Sequence, residues 1–377
     1  MNDVKYWVAL NRVPQLGPVR FRRLEAHFGE LGNAWDAGLA DLRAAGIEDR
    51  PAREILAARD RVDPMSEMVR LEKAGVEALT WNHPRYPRLL KEIHDPPPLL
   101  YVKGDIQPGD ERALAVVGTR GPTTYGREVA STLATGLATS GICIISGLAR
   151  GIDGIAHKAA IESGGRTIAV VANGLDMVYP KEHTLLSQQI QDQGAVVSEY
   201  PLGVRPDPKS FPRRNRLISG MSLGTLVIEA AEGSGARWTV YHALDQDREV
   251  FCVPGSIFSP ASRFTNRMIK EGAKLVSDCG DVLEELNLEE LNQTAVARQG
   301  ELPLYLNIGD SGDPEEMSLL DHLGEEPLHI DDLGRNAGLP ITSVSSLLTM
   351  LELKGMVKQV GCMHYVRTRE VAPAYGG

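Results

Sequence analysis

The sequence predicts an α/β protein with a Rossmann-like, doubly wound, mostly parallel sheet. Short apolar runs alternate with amphipathic helical stretches, such as residues 127–138 and 155–162, across the centre of the chain. Continuous apolar strands separated by helices are typical of a parallel sheet that is covered on both faces. The runs that we predict to be strands are residues 114–117, 142–145, 167–172, 195–198, 225–228 and 250–253.

An N-terminal helical domain is predicted over residues 1–80, because apolar residues recur there at helical spacing. A turn at residues 14–18 makes this region similar to a SAM or helix-hairpin-helix domain. The amides of such a turn can bind a DNA phosphate. Many helical hairpins carry a glycine turn without that role, so we favour a small bundle that only packs.

Two further segments follow the sheet domain, which we assign to residues 81–286. Residues 287–314 are polar and carry glycine and aspartate, which predicts a linker. Residues 315–369 are predicted to form a winged-helix-like domain of three helices and a hairpin. The predicted hairpin strands are residues 356–359 and 363–367.

The third predicted helix of this C-terminal domain, residues 341–354, carries a single basic residue, Lys354. A DNA-reading helix normally carries arginine or lysine side chains that meet phosphates. We therefore favour a structural or protein-contact role for the winged-helix domain over a role in reading DNA.

The composition argues against a membrane protein, a secreted protein and a protein built around disulfides or zinc. The sequence has no run of 18 apolar residues and begins without a basic segment followed by an apolar one, so we expect a cytoplasmic protein. Its four cysteines, at positions 143, 252, 279 and 362, lack metal-ligand spacing, so we expect neither a disulfide framework nor a zinc site. The net charge of −10 argues against a wholly basic surface but permits a local basic groove.

The first central strand ends in Gly118, Thr119 and Arg120. A glycine at this position lets the backbone approach a phosphate, the threonine hydroxyl can donate a hydrogen bond, and the guanidinium adds a forked charged contact. The segment is not Gly-x-Gly-x-x-Gly, and no acidic residue follows the second strand to hold a ribose. A nicotinamide site is therefore disfavoured, and no cofactor is predicted.

The loop after the second strand is predicted to bind an anion, because free amides at a helix start attract negative charge. Its residues are Ser146, Gly147, Leu148, Ala149, Arg150 and Gly151. Arg150 is interpreted either as assisting the phosphate or as pairing with Asp153. We interpret His157, in the following helix, as a packing histidine rather than a catalytic one.

Further basic and polar residues are expected at the same edge of the sheet, because the carboxyl ends of parallel strands lie together and bind ligands there. Lys181 follows the third strand, although a solvated loop lysine is the alternative interpretation. Ser234 and Gly235 open another helix and supply a second set of free amides.

A basic cluster gives the strongest local signal. Five basic residues and one acid occur between Arg205 and Arg216, and the cluster breaks helical amphipathicity. We therefore favour phosphate contact over a solvated helix face and expect Arg120, Lys181 and residues 213–216 to share one anion-sized hollow. Phe211 is interpreted as stacking on a base or as packing under the loop. The predicted contact residues here are Phe211, Arg213, Arg214, Asn215, Arg216 and Ser219.

Together these segments resemble the DNA-processing protein A family, also called DprA or Smf. The resemblance covers roughly residues 80–286, and several spaced motifs occur in the same order. The main matching segments are residues 117–120, 146–153, 174–180, 211–220, 253–256 and 265–267.

The resemblance implies a homodimeric protein that binds single-stranded DNA, protects the incoming strand, and loads the RecA recombinase during natural transformation. By position, Arg120 and Lys181 match the DNA-contacting arginine and lysine of the family. The 146–151 loop and residues 213–216 match its phosphate-binding pocket. The chain departs from the family at Thr119, where serine is usual, at residues 236–238, and at Phe264, where glycine is usual.

Two alternatives belong to other functional classes. Residues 222–226 with Glu229 are similar to a motif of nucleotide phosphoribohydrolases, which share a related Rossmann-like fold. Here Met221 and Ser222 stand where the first glycines of that motif would be, which alters the phosphate turn. The other alternative is a pure interaction scaffold. The sequence offers no nucleophile–base pair or metal cluster, so we predict that the protein is not an enzyme.

Overall fold

The computed structural model divides the chain into two compact units, Met1–Glu301 and Leu302–Gly377. In the described part of the chain, no helix is both long and apolar enough to cross a membrane. The residues that the structure describes are 3–288, 314–324, 328–339, 343–344, 347–348, 351–352, 356–359 and 364–367.

Helices and strands alternate through most of the first unit. Its helices are α1 Val4–Asn11, α2 Pro18–Phe28, α3 Leu31–Asp36, α4 Leu39–Ala44, α5 Asp49–Ala58, α6 Pro64–Lys73, α7 Arg88–Glu92, α8 Thr124–Thr139, α9 Ile152–Glu162, α10 Thr184–Gln193, α11 Ser210–Gly220, α12 Ala236–Asp245, α13 Arg263–Lys270 and α14 Cys279–Glu285. Its strands are β1 Glu77–Thr80, β2 Leu99–Gly104, β3 Ala113–Val117, β4 Cys143–Ser146, β5 Thr167–Val170, β6 Ala195–Ser198, β7 Gly224–Val227, β8 Glu249–Cys252 and β9 Lys274–Leu275.

These nine strands form one sheet in the order β1-β2-β6-β5-β4-β3-β7-β8-β9. Neighbouring strands from β6 across to β9 pair in parallel, whereas β1 and β2 pair antiparallel at one edge. The prediction of a mostly parallel, doubly wound sheet is confirmed. Strands β3 to β8 lie within two residues of the six predicted runs, because every residue of β4, β5, β6 and β7 is buried and therefore apolar or small.

The order of the strands reverses at the centre of the sheet. From β3 the chain proceeds through β4, β5 and β6 on one side, and then returns to pair β7 against the other side of β3. In doubly wound sheets this switch point leaves a crevice at the carboxyl ends of the two central strands.

The N-terminal helices share a hydrophobic core with the edge of the sheet. The Trp7 ring stacks on Phe21 and meets Trp81 edge-on, with ring centroids 5.6 Å apart in both pairs. Strand β1 falls inside the range predicted to be helical and pairs with β2 instead. The domain boundary near residue 80 stays a prediction.

The predicted turn at residues 14–18 joins α1 to α2. The amide of Leu16 donates to the carbonyl of Val13, and the amide of Gly17 donates to that of Gln15. Two amides of the turn are therefore engaged within it, which fits the interpretation of a hairpin that packs.

The second unit has a small sheet and helices around one core. Its elements are α15 Pro314–Asp321, β10 Leu328–His329, α16 Ile330–Ala337, β11 Val357–Gln359 and β12 His364–Arg367. Strands β11 and β12 form the predicted antiparallel hairpin, and β10 pairs with the other side of β12. The described residues of the third predicted helix are helical, but Lys354 lies outside the described residues. Helices with this three-stranded sheet are the arrangement expected of a winged helix.

His157 attaches α9 to the sheet, as the packing interpretation expected. Its side chain is fully buried, and its Nδ1 lies 2.6 Å from the Thr167 hydroxyl oxygen. That hydroxyl donates to the Ile144 carbonyl, so Nδ1 must carry the proton and donate to Thr167. Burial lowers the pKa of His157 to about 3.

Because His157 is buried in its neutral form, we expect the free energy of unfolding to depend on pH in the acid range. The unfolded chain binds a proton at His157 near pH 6.5, roughly its free value, whereas the folded chain does so only at about pH 3. The free energy of unfolding should therefore fall as the pH drops from 6.5 towards 3. Urea denaturation at a series of pH values should show a shallower fall for His157→Gln than for the wild type. Parallel curves would contradict this assignment.

Candidate functional site

A cleft of about 590 Å³ opens at the switch point, beyond the carboxyl ends of β3 and β7. Gly118 and Thr119 line it directly after β3, and Gly233, Ser234 and Gly235 line it after β7. Side chains of α11 and α12 complete its walls. The predicted position of a ligand site at this edge therefore coincides with a concave surface.

Close packing fixes the floor of the cleft. A Cβ atom on Gly118 would lie 2.6 Å from a side-chain carbon of Ile152 and 2.9 Å from the Glu229 carbonyl oxygen, so only glycine fits. The next amide, that of Thr119, donates to the same Glu229 carbonyl at 2.7 Å. Gly118 thus allows β3, α9 and the end of β7 to meet, and its predicted contact with a phosphate stays a prediction.

Arg120 stands at the mouth of the cleft with its side chain exposed. Its guanidinium carbon lies 5.6 Å from the centre of the Phe211 ring, and that ring lies 5.6 Å from the ring of Tyr179. All three residues line the cleft. Arg120 forms no ion pair with any residue that the structure describes, so its charge remains available to a ligand. The Phe211 ring therefore lies against the Arg120 guanidinium and lines the same cleft.

The loop after β4 differs from the prediction, because the protein's own carboxylate occupies the expected anion position. Oδ2 of Asp153 accepts hydrogen bonds from the amides of Gly147 and Ala149 at 3.1 and 3.3 Å. The Ser146 hydroxyl donates to the Val116 carbonyl at 2.6 Å, and Leu148 is buried. Of the predicted loop residues 146–151, only Ala149 lines the cleft.

Arg150 pairs with Glu182 rather than with Asp153 or with the cleft. The short turn Lys181–His183 packs against the loop, and Nδ1 of His183 lies 3.0 Å from the Leu148 carbonyl oxygen. Lys181 is exposed and does not line the cleft, although its turn begins two residues after Tyr179, which does. Lys181 is therefore placed beside the cleft rather than within it.

The basic cluster of α11 is divided between the interior and the surface. Arg214 is buried and donates to the carbonyls of Gly147, at 2.7 Å, and Val170. Burial lowers the pKa of Arg214 to about 10, although the nearby Asp153 carboxylate opposes that shift. Its guanidinium therefore holds the loop after β4 against β5 and forms part of the cleft wall.

Arg216 does not reach the cleft. Its side chain is 4% exposed and pairs with the carboxylates of Glu199 and Asp95, so the prediction that it contacts phosphate is wrong. Ser219 is also fully buried, and its hydroxyl lies 2.7 Å from Oε1 of Gln246. Both residues stabilise α11 instead.

Arg213 faces a second hollow on the other side of α11, together with the 14–18 turn and Tyr200. It is exposed and lies 3.8 Å from the Glu199 carboxylate. Asn215 remains in the main cleft, and its amide donates to the Gly235 carbonyl at 3.4 Å. The expectation that Arg120, Lys181 and residues 213–216 share one hollow is thus wrong for part of the set.

Tyr179 and Trp238 also line the cleft, and sequence reasoning did not select them as contact residues. Tyr179 lies within a motif that the sequence analysis matched, and Trp238 lies in a segment that departs from the family pattern. What could have identified both residues in the sequence is an aromatic side chain a few positions after a glycine, Gly174 for Tyr179 and Gly235 for Trp238.

Glu229, the acid of the alternative enzymatic interpretation, has a structural role. Its side chain is buried and accepts hydrogen bonds from the amide of Thr123, at 3.0 Å, and its hydroxyl, at 2.6 Å. It therefore binds the start of α8 and does not line the cleft. No group of three or more histidine, cysteine or acidic residues suited to a metal occurs among the described residues.

Comparison with known proteins identifies related sequences along nearly the whole chain. A family model described as DNA recombination-mediator protein A matches residues 77–287, and another described as the DprA winged helix domain matches residues 308–361. Protein Smf of Synechocystis is 34% identical over 97% of this chain and 99% of its own length.

Solved structures agree with these sequence matches. The X-ray structure of DNA processing protein A from Streptococcus pneumoniae has a TM-score of 0.66 and 33% identity, and the match covers 74% of this chain and 97% of that one. DNA processing protein A from Helicobacter pylori, described for its single-stranded DNA binding mode, has a TM-score of 0.52 and 30% identity. That match covers 57% of this chain and 96% of the other.

The division of the basic cluster predicts different effects of two neighbouring substitutions on stability. Arg216→Ala should lower the free energy of unfolding by about 3–5 kcal/mol, because it removes the buried charge partner of Glu199 and leaves only the exposed Arg213, 3.8 Å from that carboxylate. Arg213→Ala, the exposed control on the same helix, should cost less than about 1 kcal/mol. Urea denaturation measures both values, and equal losses would contradict the assignment of Arg216 to the interior.

Proposed function

The chain belongs to the DNA recombination-mediator protein A family, and we propose that it binds single-stranded DNA in the cleft between β3 and β7. The observation that carries this proposal is the state of Arg120. It forms no ion pair with any described residue, it lines a concave site with its side chain exposed, and the Phe211 ring lies 5.6 Å from its guanidinium carbon. A phosphodiester is the ligand group that an exposed guanidinium in such a position binds well.

The shape and composition of the cleft favour a single strand. Aromatic side chains and glycine backbone line it together, so bases and phosphates each find a suitable partner. Contacts to phosphates carry no sequence information, so binding should depend little on base sequence. Duplex should bind more weakly, because its bases are already stacked on one another.

The proposed contact residues are a reduced form of the set predicted from sequence. Residues that are at least partly exposed and line the cleft or lie beside it remain in the set. The buried residues, Arg214 among them, and the paired Arg150 hold the loops in place. Gly151 and Arg213 are left out because neither lines the cleft. The remaining contact residues are Gly118, Thr119, Arg120, Ala149, Lys181, Phe211, Asn215, Ser234 and Gly235.

The wider role that we propose follows from membership of the family. The protein acts in the cytoplasm as a homodimer, protects incoming single strands, and loads RecA recombinase onto them in natural transformation and recombination. It binds the strand without changing it chemically, since the acid of the enzymatic alternative, Glu229, is committed to α8.

Removing both free cations should weaken binding strongly. Arg120→Ala combined with Lys181→Ala should reduce the affinity for oligothymidine on the order of a hundredfold, taking about 1.4 kcal/mol for each lost phosphate contact. The dependence of log affinity on log salt concentration should become shallower by about 1.4, since each contact to a single strand contributes about 0.7. Fluorescence anisotropy of a labelled oligothymidine at several salt concentrations measures both effects.

The matched control removes two positive charges at positions outside the cleft. Arg43→Ala with Arg61→Ala alters exposed arginines of the helical region and should leave affinity and salt slope nearly unchanged. Equal weakening in the two double variants would show that net charge, not this cleft, governs binding.

Delivery to the recombinase should depend on the same cleft. RecA hydrolyses ATP when it assembles on single strands, so the rate of hydrolysis reports loading. The wild-type protein should shorten the lag before hydrolysis, and the Arg120→Ala, Lys181→Ala variant should not. A variant that no longer binds DNA but still shortens the lag would contradict loading by strand transfer.

A further inference from the structure

Trp238 differs in exposure from every other tryptophan of the chain. It lies in the first turn of α12, lines the cleft, and is 41% exposed. The other three, Trp7, Trp35 and Trp81, are each 5% exposed or less. A large, rigid aromatic side chain left open inside a concave site is typical of a binding residue rather than of a core residue.

Neighbouring side chains hold the exposed indole in place. The Arg237 guanidinium carbon lies 5.1 Å from the ring centre, and the Tyr241 ring lies 6.1 Å away with the two planes at 84°. The indole is therefore oriented before a ligand arrives, which reduces the entropy lost on binding.

The indole of Trp238 is suited to contact a base of a bound strand rather than a phosphate. The face of an aromatic ring carries partial negative charge, so it repels a phosphate and attracts a flat, polarisable base or a cation. Arg237 already supplies a cation. Because Arg120 lies in the same cleft, a strand whose phosphate binds there would place its bases within the cavity that Trp238 lines.

We propose that Trp238 is a base-stacking residue that binds a nucleobase of the single strand held at Arg120. This inference rests on the proposed function, since it requires a strand in the cleft. It assigns to α12 a base contact that the sequence analysis considered only for Phe211 on α11, and it makes affinity depend on the presence of bases as well as of phosphates.

Tryptophan fluorescence tests the contact directly. Because the other tryptophans are buried, quenching of the exposed indole by oligothymidine should report Trp238 alone. Fluorescence should fall as oligothymidine is added to the wild-type protein and should remain constant in Trp238→Phe. Anisotropy of a labelled oligothymidine measures binding independently in both proteins.

A strand without bases separates stacking from phosphate contact. Trp238→Ala should weaken binding of oligothymidine roughly tenfold, the effect of losing one stacked base, and should leave binding of an abasic oligomer of equal length unchanged. Trp238→Phe should retain most of the affinity. Met65→Ala, which removes an exposed apolar side chain of α6 that does not line the cleft, should bind both ligands as the wild type does.

The outcomes distinguish the two proposals. Normal oligothymidine binding with unchanged tryptophan fluorescence would overturn the stacking role and leave the proposed function intact. Equal weakening of both ligands by Trp238→Ala would also overturn it, because the loss would not involve a base. A wild-type protein that fails to bind oligothymidine at all would overturn both.

Discussion

The parallel pairing of β3 with β7 is the constraint on which the candidate site depends. In a doubly wound sheet, the connections that follow the two central strands lead to opposite sides, which leaves a crevice at the carboxyl ends of those strands. In this protein the crevice is the cleft. The pairing requires Gly118, where a Cβ would collide with Ile152 and with the Glu229 carbonyl. The same carbonyl accepts the amide of Thr119, so the floor of the cleft and the register of its two strands are fixed together.

The charges of this acidic chain are used in two ways around that cleft. Arg214 and Arg216 lie inside, where they hold a loop and neutralise buried carboxylates, and a buried guanidinium without those partners would be costly. Arg120 and Lys181 form no ion pair with the described residues and remain exposed. A carboxylate of the protein also fills the amide site after β4. The interior arginines thus shape the cleft, and the exposed cations are left for a ligand.

The aromatic residues give the cleft a second kind of surface. Phe211 lies beside Arg120, and Trp238 lies in the first turn of α12, so apolar faces and positive charge line one cavity. A single strand presents the same two chemistries, because its bases are unpaired and its phosphates are charged. The composition of the cleft therefore fits the ligand that we propose.

Local patterns in the sequence determined the six strands β3 to β8, the helices α8 and α9 between them, and the edge at which the site lies. A buried parallel strand must be apolar along its length, and a helix must repeat its apolar positions, so both leave marks within a few residues. The glycine turns and Arg120 could be predicted as well, because each follows a predicted strand in the sequence. The antiparallel strands β1 and β2 at the edge were missed, because neither belongs to the repeating strand–helix pattern.

Tertiary structure alone decided which members of the basic cluster face a ligand. Arg216 is buried because Glu199 and Asp95 meet it, and its contact with Asp95 spans 121 positions of the chain. Asp153 fills the predicted anion site, and Trp238 enters the cleft, only after the sheet has brought separate loops to one edge. Burial and charge pairing are properties of contacts between distant segments, so the order of residues along α11 does not reveal them.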